Sequence, residues 1–124
     1  MAMKQFKTYN YNGYTPKQKD IVWINLNPTQ GREMNKRRPV IVISRDEYNA
    51  MTGFVIVCPI TSTKRDHYIK LASKLETNGY IDYFQVKSID FQSKERDIAF
   101  IEQADLQTFG LLAQRFRQLF DFKI

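Results

Sequence analysis

Two short stretches of the sequence place cations and hydroxyl groups directly beside apolar runs. Arg37 and Arg38 precede the run PVIVI, and the hydroxyl residues 61–63 follow a second apolar run and are succeeded by Lys64 and Arg65. Guanidinium groups hold an anion by charge, and hydroxyl groups can donate hydrogen bonds to an anion held in this way. The two stretches therefore predict a site for a phosphoryl group. The alternative interpretation of residues 61–63 is a Ser/Thr-rich turn that closes a hairpin.

Both stretches need strands to position them. Pro39 holds its φ near −65° and disfavours the α region for Arg38, so Arg38 is expected where a loop becomes a strand. The strand that follows is predicted at 40–44. The run 54–60 is the most apolar of the chain, and Pro59 is expected at an edge or a bulge of the sheet because proline lacks an N–H.

The remaining pattern predicts a mainly β domain. Alternating or apolar runs predict further strands at 20–27, 68–71, 80–86 and 98–101. A short helix is expected at 46–51, capped by Ser44 or Asp46 and followed by Gly53, and residues 86–97 are expected to lead into a polar loop. Apolar residues at helical spacing predict an amphipathic helix over 105–120 with Asp105 as its cap. Short strands with one terminal helix indicate a strongly bent sheet or half-open barrel whose open end the helix covers.

Composition limits the class of protein. The chain has 124 residues, one cysteine and a net charge of +6, which fits one globular domain without a disulfide framework. Residues 1–70 carry 12 Lys and Arg against 5 Asp and Glu, whereas residues 71–124 carry 7 against 8. A basic half favours nucleic acid as a partner, with an acidic protein segment second. The sequence shows neither a signal peptide nor a long apolar span, and we expect a cytoplasmic protein.

The two segments outside the predicted strands have separate interpretations. Residues 1–18 mix tyrosines with lysines and show no period, so they are expected to be a flexible arm or a tail whose tyrosines rest on the domain. The loop before Arg38 is longer than a usual hairpin connection and contains Arg32, Lys36 and Arg37, with Glu33 as the opposing charge. It is expected to form a basic flap.

Several kinds of chemistry find no support in the sequence. It has no Gly-rich phosphate loop, no Cys/His zinc spacing and no nucleophile elbow, and its carboxylates are scattered. The lone His67 excludes a mechanism with paired imidazoles. RNA cleavage remains possible, because the substrate brings its own 2′-OH nucleophile and the protein need only align it and stabilise the phosphorane. No cofactor is expected, and a metal ion is optional.

Five motifs in order resemble one known family. They are DIVW at 20–23, NPTQGRE at 27–33, RRPVIVIS at 37–44, CPITS at 58–62 and QVKSID at 85–90. Together they resemble the MazF/PemK toxin endoribonucleases over residues 19–124. The resemblance implies an SH3-like small barrel of five to seven strands that forms a homodimer. It also implies metal-independent cleavage of single-stranded mRNA, leaving 2′,3′-cyclic phosphate and 5′-OH ends, and inhibition by an antitoxin with an acidic, flexible C-terminal segment.

The resemblance also implies roles for individual residues. Arg38 matches the catalytic arginine, Thr61 the catalytic threonine, and Glu33 an acidic loop position that could draw the proton from the 2′-OH or only offset neighbouring cations. The residues expected to contact RNA are Arg32, Lys36, Arg37, Ser62, Lys64, Arg65, Gln85, Lys87 and Ser88. The competing hypotheses are a non-catalytic toxin that docks onto DNA gyrase through residues 120–124, a plain RNA-binding module, and a structural dimerisation domain.

Overall fold

A computed structural model describes residues 8–27 and 37–124 of the chain. The strands in these ranges are β1 (Asp20–Asn25), β2 (Arg37–Val42), β3 (Phe54–Thr61), β4 (Ile69–Lys70), β5 (Tyr80–Ile81), β6 (Lys87–Asp90) and β7 (Ala99–Gln103). The helices are α1 (Asp46–Thr52) and α2 (Leu106–Leu119). The prediction of a mainly β fold with a terminal helix is confirmed, and the seven strands of the described residues form one curled antiparallel sheet.

Strand β3 is the centre of the sheet. Its neighbours run in the order β4-β5-β3-β2-β1-β7, and β6 also pairs with β3. One edge of β3 therefore binds β2, while the other edge binds β6 along Phe54–Val57 and β5 at Ile60 and Thr61. Pro59 lies between these two pairings, and its carbonyl accepts the N–H of Asp82 at 3.0 Å. In a strand, the N–H and C=O of one residue point to the same side. The side on which Pro59 lacks an N–H is therefore the side of β3 where β5 and β6 separate.

The two faces of the sheet bury separate apolar clusters. Alternation along the strands puts Ile21, Ile41 and Cys58 on one face, which α2 covers with Leu112. The opposite face buries Val22, Val40 and Val57 together with Ile89 of β6 and with Ile98, which precedes β7. The strand predicted at 20–27 is confirmed as β1, with Ile21 in the first cluster and Val22 and Ile24 in the second.

The predicted continuous strand over 80–86 is wrong. The strand ends at Ile81, because the Asp82 carboxylate accepts the N–H of Phe84 at 3.1 Å and the Asp82 carbonyl accepts the N–H of Gln85 at 3.4 Å, which turns the chain. The region 86–97, expected to lead into a polar loop, begins with strand β6. Ile89 is the one buried residue of β6, so the sequence of this strand gives a weak apolar pattern. Pairing with β3 is what makes the segment a strand.

The predicted cap of α2 is confirmed, and the predicted caps of α1 are wrong. Asp105 caps α2 as predicted and accepts the N–H of Thr108 at 3.0 Å. Neither predicted residue caps α1: the N-cap is Arg45, which makes no side-chain cap bond. The Ser44 hydroxyl instead bonds with the side chain of the buried Asn49 and accepts the N–H of Ile56 at 2.9 Å. Tertiary partners thus replace the local cap.

Residues 8–18 contact the domain. The N–H of Tyr9 donates to the carbonyl of Ala50 at 2.9 Å, and the hydroxyl of Tyr14 donates to the buried carboxylate of Asp20 at 2.6 Å. The side chain of Asn49 donates to the carbonyl of Pro16 at 2.9 Å. The tyrosines therefore rest on the sheet, and the flexibility proposed for residues 1–18 stays a prediction. None of the helices in these described ranges is long and apolar enough to cross a membrane.

Candidate functional site

A groove opens where β5 and β6 separate along β3. Its volume is about 230 Å³, and Pro59 and Asp82 lie at the separation itself. The other lining residues are Leu26, Thr61, Thr63, Arg65, Tyr68, Gln85 and Lys87. Two cations and several hydroxyl and amide groups thus surround one recess, which suits an anionic, hydrogen-bonding ligand.

Thr61 ends β3 at one side of this groove. Its backbone pairs with Tyr80 of β5, and its side-chain oxygen accepts the N–H of Thr63 at 3.1 Å. An oxygen that accepts this bond still has its own O–H to donate. Thr61 is half-buried, so its hydroxyl is anchored by the strand and remains accessible to a ligand.

The register of the sheet relates Arg38 to Thr61. Val40 pairs with Pro59, Ile41 with Cys58 and Val42 with Val57. The paired residues end at Val40 and Pro59, and the same register continued by two residues would bring Arg38 opposite Thr61. Side chains at opposite positions of an antiparallel pair lie on the same face of the sheet, so both side chains belong to the face of the groove.

The arginine side chains extend beyond the recess itself. Arg38 is exposed, donates from Nη1 to the Arg37 carbonyl at 3.0 Å, and is not among the residues that line the groove. Arg37 lies 3.6 Å from Asp97 in an ion pair whose two side chains are 13% and 27% exposed. Arg38 is therefore exposed, and Arg37 is held in an ion pair with Asp97.

Asp82 organises the groove, although the sequence pattern indicated no role for it. It is 3% exposed, and its carboxylate accepts bonds from the Tyr68 hydroxyl at 3.0 Å and from Gln85 Nε2 at 2.8 Å. A buried carboxylate requires such donors because an unpaired buried charge is costly. The signal that could have revealed Asp82 was a charged residue inside the apolar segment YIDYF.

Two neighbours of Asp82 have altered acidity. Burial, with a further contribution from the Asp82 charge, raises the pKa of Cys58 to about 12. Desolvation together with the hydrogen bond to Asp82 and its charge raises the pKa of Tyr68, while Arg65 opposes the increase. Both groups are therefore protonated at neutral pH. Because the Tyr68 hydroxyl donates its one proton to Asp82, its oxygen is left to accept a bond from a ligand in the groove.

The remaining predicted site residues fall into three groups. Arg65, Gln85 and Lys87 line the groove with Thr61, as described above. Ser62 lies instead in a cavity of about 400 Å³ with Lys70, Ser73, Asn78 and Tyr80 among its walls, and Lys64 and Ser88 are exposed outside the groove. Arg32, Glu33 and Lys36 lie outside the described residues.

Another recess is mainly apolar. It is a groove of about 390 Å³ between α2 and the end of β2, and the described residues that line it include Ile43, Phe109, Leu112, Phe116 and the charged Arg117. Within residues 8–27 and 37–124, no group of three or more His, Cys, Asp or Glu side chains could hold a metal ion.

Comparison with known proteins gives consistent matches. Residues 17–120 match the family described as PemK-like, MazF-like toxin of type II toxin-antitoxin system. Over 82 residues the chain is 32% identical to the endoribonuclease toxin MazF of Escherichia coli strain K12, covering 65% of this chain and 74% of that protein.

Solved structures resemble the chain over most of its length. The crystal structure of MazF (Form-I) from Deinococcus radiodurans matches with a TM-score of 0.75 and 26% identity, covering 88% of this chain and 99% of that one. The MazE-MazF (Form-III) structure from the same organism matches with a TM-score of 0.76 and 25% identity, covering 89% of this chain and 100% of that one. The predicted small barrel agrees with both.

Proposed function

Because the chain belongs to the family of PemK-like, MazF-like toxins of type II toxin-antitoxin systems, we propose that it is an endoribonuclease that cleaves single-stranded mRNA in the cytoplasm. Relatives matched over most of the chain are named endoribonuclease. The observation that supports the proposal is a groove lined by Thr61, Arg65 and Lys87, with Arg38 two residues before Val40, whose partner Pro59 also lines the groove. We expect these cations and the Thr61 hydroxyl to bind one phosphodiester.

The proposed reaction is an internal transfer of the phosphoryl group. The 2′-oxygen of one nucleotide attacks the adjacent phosphorus, a 2′-O–P bond forms, and the bond from phosphorus to the 5′-oxygen breaks. The 2′-OH loses its proton and the 5′-oxygen gains one, which leaves a 2′,3′-cyclic phosphate and a 5′-OH. Since the nucleophile belongs to the substrate, the reaction requires alignment and charge stabilisation more than a metal ion.

Each catalytic residue has a role that its chemistry supports. Arg38 stays protonated and binds the phosphoryl oxygens as their negative charge increases. The Thr61 hydroxyl donates to the same group. Glu33 is our candidate for the base that accepts the 2′-OH proton, and it lies outside the described residues.

The rest of the groove would position the RNA strand. Arg65 and Lys87 provide charge for neighbouring phosphates, and Gln85 provides an amide for a base edge. Asp82 holds the Gln85 amide at 2.8 Å and so restricts its orientation. We assign Arg32, Lys36, Arg37, Ser62, Lys64 and Ser88 to supporting RNA contacts as a prediction that mutagenesis would test.

Inhibition is proposed to depend on the same charge. Deinococcus radiodurans structures are named as MazE-MazF complexes, so a cognate antitoxin is the expected partner of this chain. An acidic, flexible C-terminal segment of that antitoxin would compete with RNA for the groove cations. We further propose that the chain acts as a homodimer, which light scattering after gel filtration would test.

The deciding experiment is cleavage of a long single-stranded RNA, run both with Mg²⁺ and in excess EDTA. The purified protein, Arg38→Ala and Arg45→Ala would be incubated in parallel, with cut sites and end groups mapped. Arg45 is the matched control, because it is an exposed arginine beyond the far end of β2 that forms an ion pair with Glu47 at 3.5 Å. We expect discrete cuts with 5′-OH ends for the wild type and Arg45→Ala, and their loss in Arg38→Ala.

Other outcomes lead elsewhere. RNA that stays intact across varied substrates would contradict the enzyme and favour a non-catalytic toxin that docks onto DNA gyrase. In that case Phe120 and Phe122, which are 53% and 77% exposed, become the residues to substitute. Cuts that disappear only with EDTA would contradict the metal-independent mechanism alone.

A further inference from the structure

Two exposed aromatic rings lie stacked beside the candidate groove. The centroids of His67 and Phe84 are 4.1 Å apart and their planes differ by 15°. Phe84 is 56% exposed and His67 is also exposed, so the stack is open to solvent. The chain therefore exposes a flat aromatic surface that is not needed to fill the hydrophobic core.

Further aromatic rings support this stack. Tyr83 is only 6% exposed and meets Phe84 edge-on, with 5.0 Å between centroids. Tyr68 meets His67 edge-on at 4.8 Å. Edge-to-face contacts of this kind restrain ring orientation, so little side-chain freedom remains to be lost when a ligand binds.

The stack and the groove share one anchor. Asp82 accepts the backbone N–H of Phe84 at 3.1 Å, which fixes the turn that carries the ring. The same carboxylate accepts bonds from Tyr68 and Gln85, and both of these residues line the groove. A ligand strand that leaves the groove past Tyr68 or Gln85 therefore meets the aromatic pair.

We propose that His67 and Phe84 form a stacking platform for a nucleobase of the single-stranded RNA, next to the nucleotides held in the groove. The inference rests on the proposed endoribonuclease function. Arg65 and Lys87 attract the charged backbone, whereas an unpaired base needs a flat apolar partner, and the platform supplies it next to those cations. Every base has a π face, so the platform accepts all four and favours the larger purines.

The platform contributes binding and not chemistry. Its rings lie outside the groove residues around Thr61. An interaction of equal strength with substrate and transition state raises affinity and leaves kcat unchanged. Loss of the platform should consequently raise KM in proportion to Kd.

The test is RNA binding by the full chain. An oligonucleotide spanning a mapped cut site, with 2′-deoxyribose at the cleaved nucleotide, binds without being cut, and fluorescence anisotropy gives its Kd. We expect Phe84→Ala and Phe84→Leu to weaken binding by about 5- to 150-fold, and Phe84→Trp to retain it. Phe84→Leu keeps an apolar side chain without a π face, which separates stacking from folding.

Phe54→Ala is the matched control. Phe54 is 44% exposed and begins β3, seven residues from Thr61, or about 23 Å along the strand. Its removal should leave Kd unchanged. An abasic scan of the oligonucleotide completes the test: one abasic position should weaken binding to the wild type and have no further effect on Phe84→Leu.

The outcomes separate this inference from the proposed function. The stacking platform is overturned if the wild type and Phe84→Leu bind RNA with equal Kd, or if the abasic position weakens binding equally in both. RNA cleavage by the wild type would in that case still support the proposed endoribonuclease function. Absence of both cleavage and RNA binding in the wild type overturns the proposed function, and the platform with it.

Discussion

The Tyr68 hydroxyl donates a hydrogen bond of 3.0 Å to the carboxylate of Asp82, and this contact joins the segment before β4 to the turn after β5. Both residues line the groove, and Asp82 is 3% exposed. The groove wall therefore depends on one buried charge and its donors.

Removal of that charge should destabilise the protein. We expect Asp82→Ala to lower the free energy of unfolding by about 2–3 kcal/mol, because the donors it holds lose a charged acceptor. Urea denaturation measures this loss. Tyr68→Phe, which removes one of these donors, should cost less than Asp82→Ala does. A loss for Asp82→Ala no larger than that for Tyr68→Phe would contradict the central role of the carboxylate.

The Thr61 hydroxyl should matter to the rate. We expect Thr61→Val to lower kcat on single-stranded RNA by about a hundred- to thousandfold, corresponding to about 2.7–4 kcal/mol, because one donor to the phosphoryl group is lost. Thr61→Ser keeps the hydroxyl and should retain most of the activity. Single-turnover cleavage measures the chemical step; equal rates for the valine and serine variants would exclude the proposed donor.

Gly79 should be sensitive because it supports Thr61. A Cβ at Gly79 would lie 2.6 Å from the Thr61 carbonyl oxygen, and its φ is +130°. We expect Gly79→Ala to lower stability by at least about 1–3 kcal/mol and also to slow cleavage as Thr61 is displaced. Gly13 has a positive φ of +85° but no atom within 4 Å of a built Cβ, so Gly13→Ala should leave cleavage unchanged. Slower cleavage in both variants would argue against a local effect on Thr61.

Cys58 should be unreactive in the folded protein. It is fully buried, and its pKa is raised to about 12 by burial and then by the Asp82 charge. The reactive species is the thiolate, so Ellman's reagent should label Cys58 only after unfolding in guanidinium chloride. Rapid labelling of the native protein at neutral pH would contradict the buried position.

Glu102 should make stability depend on pH. Its carboxylate accepts the N–H groups of Glu76 and Thr77 at 3.1 and 2.7 Å and the Thr77 hydroxyl at 2.7 Å. Desolvation raises the pKa of Glu102, but these bonds outweigh it and lower the pKa below its usual value. A depressed folded pKa contributes stability above the unfolded pKa, and this contribution is lost as pH falls through the folded value.

Glu102→Gln tests that contribution. We expect a small loss of stability at pH 7, because solvent screens this partly exposed charge, with the difference from the wild type disappearing in acid. Thermal unfolding across the acid range measures both effects. A difference that stays constant with pH would show that the glutamate charge is not involved.

The sequence alone determined the fold class and the family. The fold class follows from local patterns: the alternation in β1, the apolar run of β3 and the helical spacing of α2. Each pattern lies within one element, because a strand or a helix must present apolar residues at its own period to be buried. The motifs around Arg38 and Thr61 were readable for the same reason, since each lies within a few residues of one strand.

Only the tertiary structure decided how the groove is built. Whether Arg38 faces Thr61 depends on the register of β2 and β3, which a shift of one residue would reverse. The turn at Asp82 and the pairing of β6 likewise depend on partners remote in sequence. In the sequence, Asp82 is an isolated charge in an apolar segment. The folded chain brings Tyr68 and Gln85 within hydrogen-bond distance of its carboxylate, and these bonds make Asp82 the anchor of the groove.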